Sequence, residues 1–167
     1  MGNYKVLKII GTNYQGGYNL ERAACRAVII EDNKILLSCE MKNDIYMLPG
    51  GGLEDNENDF ECVKRELIEE TGNVIEPSNC VLQIDEYYGL EKYVNRYFLA
   101  KIISKAKRNL TPHELEGGLE PVWLDLDKAI DIFSKYGEKT GMTKGLYYRE
   151  YMALKNIIGE ENEISCI

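Results

Sequence analysis

Three consecutive glycines in the stretch LPGGGLEDNE, residues 48–57, constrain the fold of this chain more than any other feature. A glycine in regular structure costs roughly 0.5–1 kcal/mol relative to alanine, because it loses more conformational freedom on folding. An ordinary strand or helix is therefore not expected to contain three of them in a row. The run predicts either a turn or a backbone segment that another group must approach closely.

The residues that follow the glycines predict a helix over 58–71. Asn58 is a suitable N-cap, and Glu61 at the third helical position completes a capping box. Gly72 with Asn73 ends the helix. An apolar stripe at helical spacing should face the core, and it comprises Phe60, Val63, Leu67 and Val74.

Three glutamates, Glu66, Glu69 and Glu70, lie beside this apolar stripe. Their i, i+3 and i, i+4 spacings place like charges side by side, at a cost of about 0.2–0.5 kcal/mol per pair in an isolated helix. A solvated acidic face is the ordinary explanation. A metal site is favoured instead because the acids border the core and follow a glycine-rich loop, and because Mg²⁺ is usually held by carboxylates, waters and substrate phosphates.

Composition indicates one soluble domain over residues 1–167, in which 44% of residues are hydrophobic. No apolar run reaches the ~20 residues that span a bilayer, and the start lacks a secretion signal, so we expect a cytoplasmic protein without a membrane partner. The cysteines are odd in number and contain no C-x-x-C pair, which indicates reduced thiols; they are Cys25, Cys39, Cys62, Cys80 and Cys166.

The formal net charge of −8 argues against binding of duplex nucleic acid, because such binding rests on neutralising phosphates. A phosphate substrate would need a metal ion to supply positive charge. The single histidine, His113, leaves little basis for a Ser-His-Asp or Cys-His arrangement. Neither of the two glycine-rich phosphate-binding fingerprints, G-x-x-x-x-G-K-[ST] and G-x-G-x-x-G, occurs.

Strand and helix patterns alternate along the chain, which predicts an α/β (α+β) fold with a mixed sheet sandwiched by helices. Asp32 and Asn33 separate the first two strands as a tight hairpin. The predicted strands cover 24–32, 34–41, 81–90, 93–103 and 120–126. The other predicted helices cover 125–136 and 143–158.

Residues 51–73, GGLEDNENDFECVKRELIEETGN, resemble the signature of the Nudix (MutT-like) hydrolases, G-x5-E-x7-R-E-U-x-E-E-x-G-U, where U is a bulky aliphatic residue. Asn73 departs from the pattern at its last position, where Val74 is expected to fill the same space. A looser resemblance extends over about 24–132. The matching residues are Gly51, Glu57, Arg65, Glu66, Leu67, Glu69, Glu70 and Gly72.

The resemblance implies a Nudix-type α/β/α sandwich and hydrolysis of a diphosphate linkage with Mg²⁺ or Mn²⁺. It implies that Glu66, Glu69 and Glu70 bind the metal, with help from Glu57 and from a backbone carbonyl of Gly50 or Gly51. Arg65 would pair with a glutamate and fix its rotamer; a surface pair with Glu69 is the alternative. The general base would be Glu66, another glutamate of the motif, or a loop carboxylate, for which Glu114, Glu116 and Glu120 are the candidates.

The substrate stays open among nucleoside triphosphates, dinucleoside polyphosphates, ADP-ribose and nucleotide sugars. Tyr87 and Tyr88 are candidates for stacking a base, and Tyr46 is a further candidate. Tyr88, sixteen residues after Gly72, resembles a tyrosine of relatives that act on dinucleoside polyphosphates. A non-catalytic nucleotide sensor and an RNA 5′-cap hydrolase are the alternative functions, and a homodimer is a possible assembly.

Overall fold

The computed structural model describes residues 4–164, with side chains through Gly159. The chain divides into two compact units. The first contains the described residues up to Val28 together with Pro49–Asn109, and the second contains Ile29–Leu48 together with the described residues from Leu110 onward. One domain over 1–167 stays a prediction.

Nine strands and four helices occur in the described part of the chain. The strands are β1 (Lys5–Ile10), β2 (Leu20–Val28), β3 (Ile30–Glu31), β4 (Lys34–Glu40), β5 (Ile45–Met47), β6 (Gly50–Gly52), β7 (Asn73–Tyr88), β8 (Glu91–Lys105) and β9 (Leu119–Asp125). The helices are α1 (Asp59–Thr71), α2 (Pro112–Gly117), α3 (Leu126–Ser134) and α4 (Gly141–Ile164), with a 3-10 turn at Lys135–Glu138. No helix within the described residues is long and apolar enough to cross a membrane.

The first unit is built on a five-stranded sheet in the order β1-β7-β8-β2-β6. The β1–β7 and β2–β8 pairs are parallel, whereas β7–β8 and β2–β6 are antiparallel. The predicted mixed sheet is therefore confirmed. Strands β7 and β8 contain most of the strands predicted over 81–90 and 93–103, and they pair antiparallel across a turn with Gly89 at φ 56°. Strand β1 lies in the segment for which the sequence suggested no element.

Helix α1 begins and ends where the sequence predicts. The Asn58 side chain accepts hydrogen bonds from the backbone N–H groups of Phe60 and Glu61, and Glu61 accepts one from Asn58. Gly72 closes the helix in the left-handed conformation, with φ 69°. Val63 and Leu67 are fully buried, as predicted, and Val74 is half-buried.

The prediction that Phe60 faces the core is wrong, since this side chain is 42% exposed. Phe60 stands in the first turn of α1, where its ring lies at the edge of the helix–sheet contact, 5.5 Å from the ring of Phe98. The predicted exclusion of the glycine run from a strand is also wrong. Gly50, Gly51 and Gly52 form the edge strand β6, paired with Arg26, Cys25 and Ala24 of β2.

The second unit is centred on β4, which pairs with β3 and β5 and also with β9. Asp32 and Asn33 both have positive φ, so the predicted tight hairpin is confirmed. The single strand predicted over 24–32 is instead divided, because β2 belongs to the five-stranded sheet and β3 pairs with β4. Tyr147 of α4 is fully buried against Phe133 of α3, with the rings edge to face.

The four cysteines within the described residues agree with the prediction of reduced thiols. Cys25, Cys39, Cys62 and Cys80 are free thiols. Cys166 lies outside the described residues.

Replacing Asn58 with alanine should lower the free energy of unfolding by about 1 kcal/mol, because the side chain satisfies two backbone donors at the start of α1. Chemical denaturation measures the change. The control is Asn79→Ala, which removes an exposed asparagine from β7. Equal stabilities of the two variants would contradict the capping role.

Candidate functional site

Arg65 is the centre of a half-buried cluster of side chains beside α1. Its Nε and Nη2 atoms donate to the two carboxylate oxygens of Glu57, at 2.8 and 3.0 Å. Its Nη1 donates to Glu66 at 2.8 Å and to Glu69 at 3.0 Å. Its Nη2 also donates to the carbonyl oxygen of Gly52 at 2.9 Å. One guanidinium thus joins three acidic side chains and the glycine backbone.

These contacts change the ionisation of the two most closely paired groups. Hydrogen bonding to Glu57 raises the pKa of Arg65, and the reciprocal bonds lower the pKa of Glu57. A carboxyl with a lowered pKa stabilises the folded state above its ordinary pKa, and this contribution is lost as the pH falls through the lowered value. The pairing with Arg65 therefore keeps Glu57 charged to a lower pH than an isolated glutamate.

The glycine backbone packs against the carboxylates of α1. A β-carbon on Gly51 would lie 2.5 Å from the carboxyl carbon of Glu66, a distance that real side chains do not reach. The Gly50 N–H donates to Glu70 at 3.2 Å. Gly50 also has φ 141°, and a β-carbon there would lie 2.1 Å from the Cys25 carbonyl oxygen. Two of the three glycines are therefore required by close approach, as the sequence suggested.

Burial distinguishes the three neighbouring glutamates. The side chain of Glu66 is 12% exposed and that of Glu69 is 30% exposed, and Glu70 as a whole residue is 5% exposed. Burying carboxylates costs free energy unless they are paired or hydrogen-bonded. The acids thus do not form an ordinary solvated face, which was the alternative that the sequence left open.

The donor atoms gathered here suit a hard divalent cation, because they are carboxylate and backbone carbonyl oxygens. Within the described residues, however, no group of three or more His, Cys, Asp or Glu side chains is arranged to hold a metal ion. Two of the predicted ligands, Glu66 and Glu69, are hydrogen-bonded to Arg65. Arg65 contacts Glu66 through Oε1 and Glu69 through Oε2, one of the two oxygens of each carboxylate. The residues therefore fit a metal in chemistry and in backbone position.

The two candidate tyrosines of the first unit lie on opposite faces of β7, as successive strand residues do. The Tyr87 ring packs against Tyr14 at 5.3 Å and Tyr18 at 6.1 Å. The Tyr88 hydroxyl donates to Glu86 at 3.4 Å. The two rings therefore cannot stack on one face of the same base, and their role in substrate binding stays a prediction.

The other predicted site residues belong to the second unit. The Tyr46 N–H donates to the Tyr147 hydroxyl at 3.2 Å, and its side chain is half-buried. Glu114 forms the capping box of α2 with Thr111. Glu116 and Glu120 are exposed. Their roles, including that of general base, stay predictions.

Sequence reasoning missed the Gly52 carbonyl as a partner of Arg65 and the use of both Glu57 oxygens by the same guanidinium. Glu57 precedes Arg65 by eight residues and lies before the helix, so no helical spacing relates the two. The motif spacing was the only signal that could have linked them.

Comparison with known proteins identifies the family. The model of the NUDIX domain matches residues 20–144. YjhB of Bacillus subtilis (strain 168), provisionally named an ADP-ribose pyrophosphatase, is 33% identical over 85 residues, which cover 50% of this chain and 41% of YjhB. An 8-oxo-dGTP diphosphatase of Buchnera aphidicola subsp. Acyrthosiphon pisum (strain APS) is 36% identical over 76 residues, which cover 46% of this chain and 57% of that protein.

A solved structure supports the fold. The NUDIX hydrolase from Nitrosomonas europaea matches with a TM-score of 0.59 and 23% identity, over 80% of this chain and 89% of that one. The region matched by the family model begins at β2, ends within α4, and contains both the glycine strand and α1. The chain therefore belongs to the NUDIX domain family.

Proposed function

We propose that this protein is a divalent-metal-dependent pyrophosphohydrolase that cleaves a diphosphate linkage in a nucleotide compound. The observation that carries the proposal is the cluster of Glu57, Glu66 and Glu69 around Arg65, against the glycine backbone. The names of the two curated relatives support it, since ADP-ribose pyrophosphatase and 8-oxo-dGTP diphosphatase both denote attack on a phosphoanhydride.

Mg²⁺ or Mn²⁺ is the cofactor that this donor set favours. Glu66, Glu69 and Glu70 would hold it, with Glu57 and the carbonyl of Gly50 or Gly51 as further candidates. When bound, the metal would neutralise the bridging phosphates, orient a water and lower the pKa of that water. The protein has a formal net charge of −8, the same sign as a diphosphate. The positive charge that a diphosphate needs would therefore come largely from the cation.

The side chains around the metal would have distinct tasks. Arg65 lowers the pKa of Glu57 and donates to the Gly52 carbonyl, so it would fix strand β6 relative to the ligands on α1. Glu66, packed against Gly51, would be confined to few rotamers. For the general base the candidates remain Glu66, another glutamate of the motif, Glu116 and Glu120. Tyr46, Tyr87 or Tyr88 would contact the nucleoside.

Removing charge from the predicted ligands should abolish most activity. Glu69→Gln and Glu70→Gln are each expected to lower turnover by at least about 10²-fold, because an amide cannot supply the ligand's charge. The matched control is Glu76→Gln, at an exposed glutamate of β7. Activity is measured on a panel of nucleoside triphosphates, dinucleoside polyphosphates, ADP-ribose, nucleotide sugars and capped RNA.

Full activity in excess EDTA would contradict the proposed metal dependence. If no diphosphate compound is hydrolysed while one of them binds and raises the melting temperature, the protein is a sensor and not an enzyme. Preferred cleavage of capped RNA would instead support the cap-hydrolase alternative.

The glycine strand offers a matched pair of substitutions. Gly51→Ala should lower turnover, because a β-carbon there displaces the Glu66 carboxylate, whereas Gly52→Ala meets nothing within 4 Å and should retain activity. Steady-state kinetics compare the two variants, and circular dichroism checks their folding. Equal turnover in both variants would mean that the Glu66 position is unimportant.

Arg65→Lys keeps the charge but loses the two-pronged contact with Glu57, so turnover should fall by about 10–100-fold. Arg65→Ala should lower turnover strongly, with a smaller effect on the free energy of unfolding. Lys64→Ala, at the adjacent exposed position, is the control. If Arg65→Ala has wild-type turnover, Arg65 is only a surface partner of Glu69.

A further inference from the structure

Arg26 lies outside the sequence motif, on the central part of the sheet in the first unit. Its Nε donates to the Asn95 side-chain oxygen at 3.3 Å, and the Asn95 amide donates to a Glu86 oxygen at 2.9 Å. Asn95 is 2% exposed and Glu86 is 4% exposed. Three neighbouring strands, β2, β8 and β7, thus contribute one polar chain that passes from Arg26 to a buried carboxylate.

This chain reaches the glycine strand. The β2–β6 register pairs Arg26 with Gly50, and Arg26 Nη1 donates to the Gly50 carbonyl at 3.5 Å. The N–H of the same glycine donates to Glu70. Gly50 is therefore contacted by Arg26 through its carbonyl and by a predicted metal ligand through its N–H. A fixed positive charge stands next to the candidate metal site.

A guanidinium in this position suits phosphate. Arginine presents a planar set of donors that matches phosphate oxygens, and little entropy is lost on binding when the side chain is already held. Asn95 supplies that restraint, while Glu86 is packed out of solvent behind it. The alternative is a purely structural Arg26 that compensates the buried charge of Glu86.

We propose that Arg26 is a substrate-binding residue that contacts a phosphoryl oxygen of the diphosphate, and that Asn95 and Glu86 are the residues that position it. This inference rests on the proposed function, because it takes a metal-bound diphosphate as the ligand. It adds a determinant of binding from β2 to those supplied by α1.

The test measures binding separately from turnover. The probe is methylenediphosphonate, a diphosphate analogue without a hydrolysable bridge, titrated calorimetrically in the presence of Mg²⁺. Arg26→Met should weaken its affinity by about tenfold or more, as expected for loss of a hydrogen bond between charged groups. Arg22→Met is the matched control, since Arg22 is exposed on the same face of β2 and its loss changes the net charge equally.

In kinetics on the best nucleotide substrate, Arg26→Met should raise KM more than it lowers kcat, and Arg26→Lys should recover part of the loss. If Arg26→Met is unstable, the double variant Arg26→Met/Glu86→Gln removes the buried charge as well and serves in its place. A purely structural Arg26 predicts a lower melting temperature with wild-type affinity for the probe. Wild-type probe affinity in Arg26→Met, or in the double variant that replaces it, overturns the inference.

The inference and the proposed function fail in different ways. Hydrolysis by the wild type together with equal probe affinity in Arg26→Met and Arg22→Met refutes the inference alone. An inactive wild type whose probe affinity is lost only in Arg26→Met refutes the enzyme proposal and leaves the binding role supported. A wild type that neither hydrolyses nucleotides nor binds the probe refutes both.

Discussion

The contact between Arg65 and the acidic side chains around it governs the arrangement of the first unit's site. Glu66 and Glu70 are almost excluded from solvent, and neighbouring like charges on a helix repel. A single guanidinium bonded to Glu57, Glu66 and Glu69 offsets part of that repulsion. It leaves an excess of negative charge, which is the condition under which a divalent cation binds favourably.

The close approach of the α1 carboxylates to strand β6 explains why glycines stand at residues 50 and 51. The Glu66 carboxylate occupies the space that a side chain at residue 51 would need, and the Gly50 N–H faces Glu70. Strand β6 gives up the entropy of Gly50 and Gly51 because its backbone has to lie against the Glu66 carboxylate and the neighbouring strand β2. The position of strand β6 and the positions of the acids on α1 therefore depend on each other.

Local signals made much of this predictable from sequence. The cap at Asn58 and the end of α1 at Gly72 depend on residues within a few positions of one another. Strand β6 was not predictable, because glycines carry no strand preference and its pairing with β2 spans a large sequence separation. The exposure of Phe60 was missed because helical spacing alone does not reveal where the sheet beneath the first turn ends. The network from Arg26 through Asn95 to Glu86 joins three strands, and no spacing in the sequence encodes such a contact.

Charge at the candidate site is divided between the motif and strand β2. The motif contributes mostly acids, which suit a cation, whereas the proposed diphosphate substrate would bring further negative charge for that cation to balance. A guanidinium held on β2 beside Gly50 would share this task from outside the motif. Because its donors are oriented by buried groups and not by the ligand, it would discriminate by position and charge more than by the identity of the nucleoside. On the proposed function, selectivity for a particular nucleotide would then arise elsewhere, in side chains that contact the base or sugar.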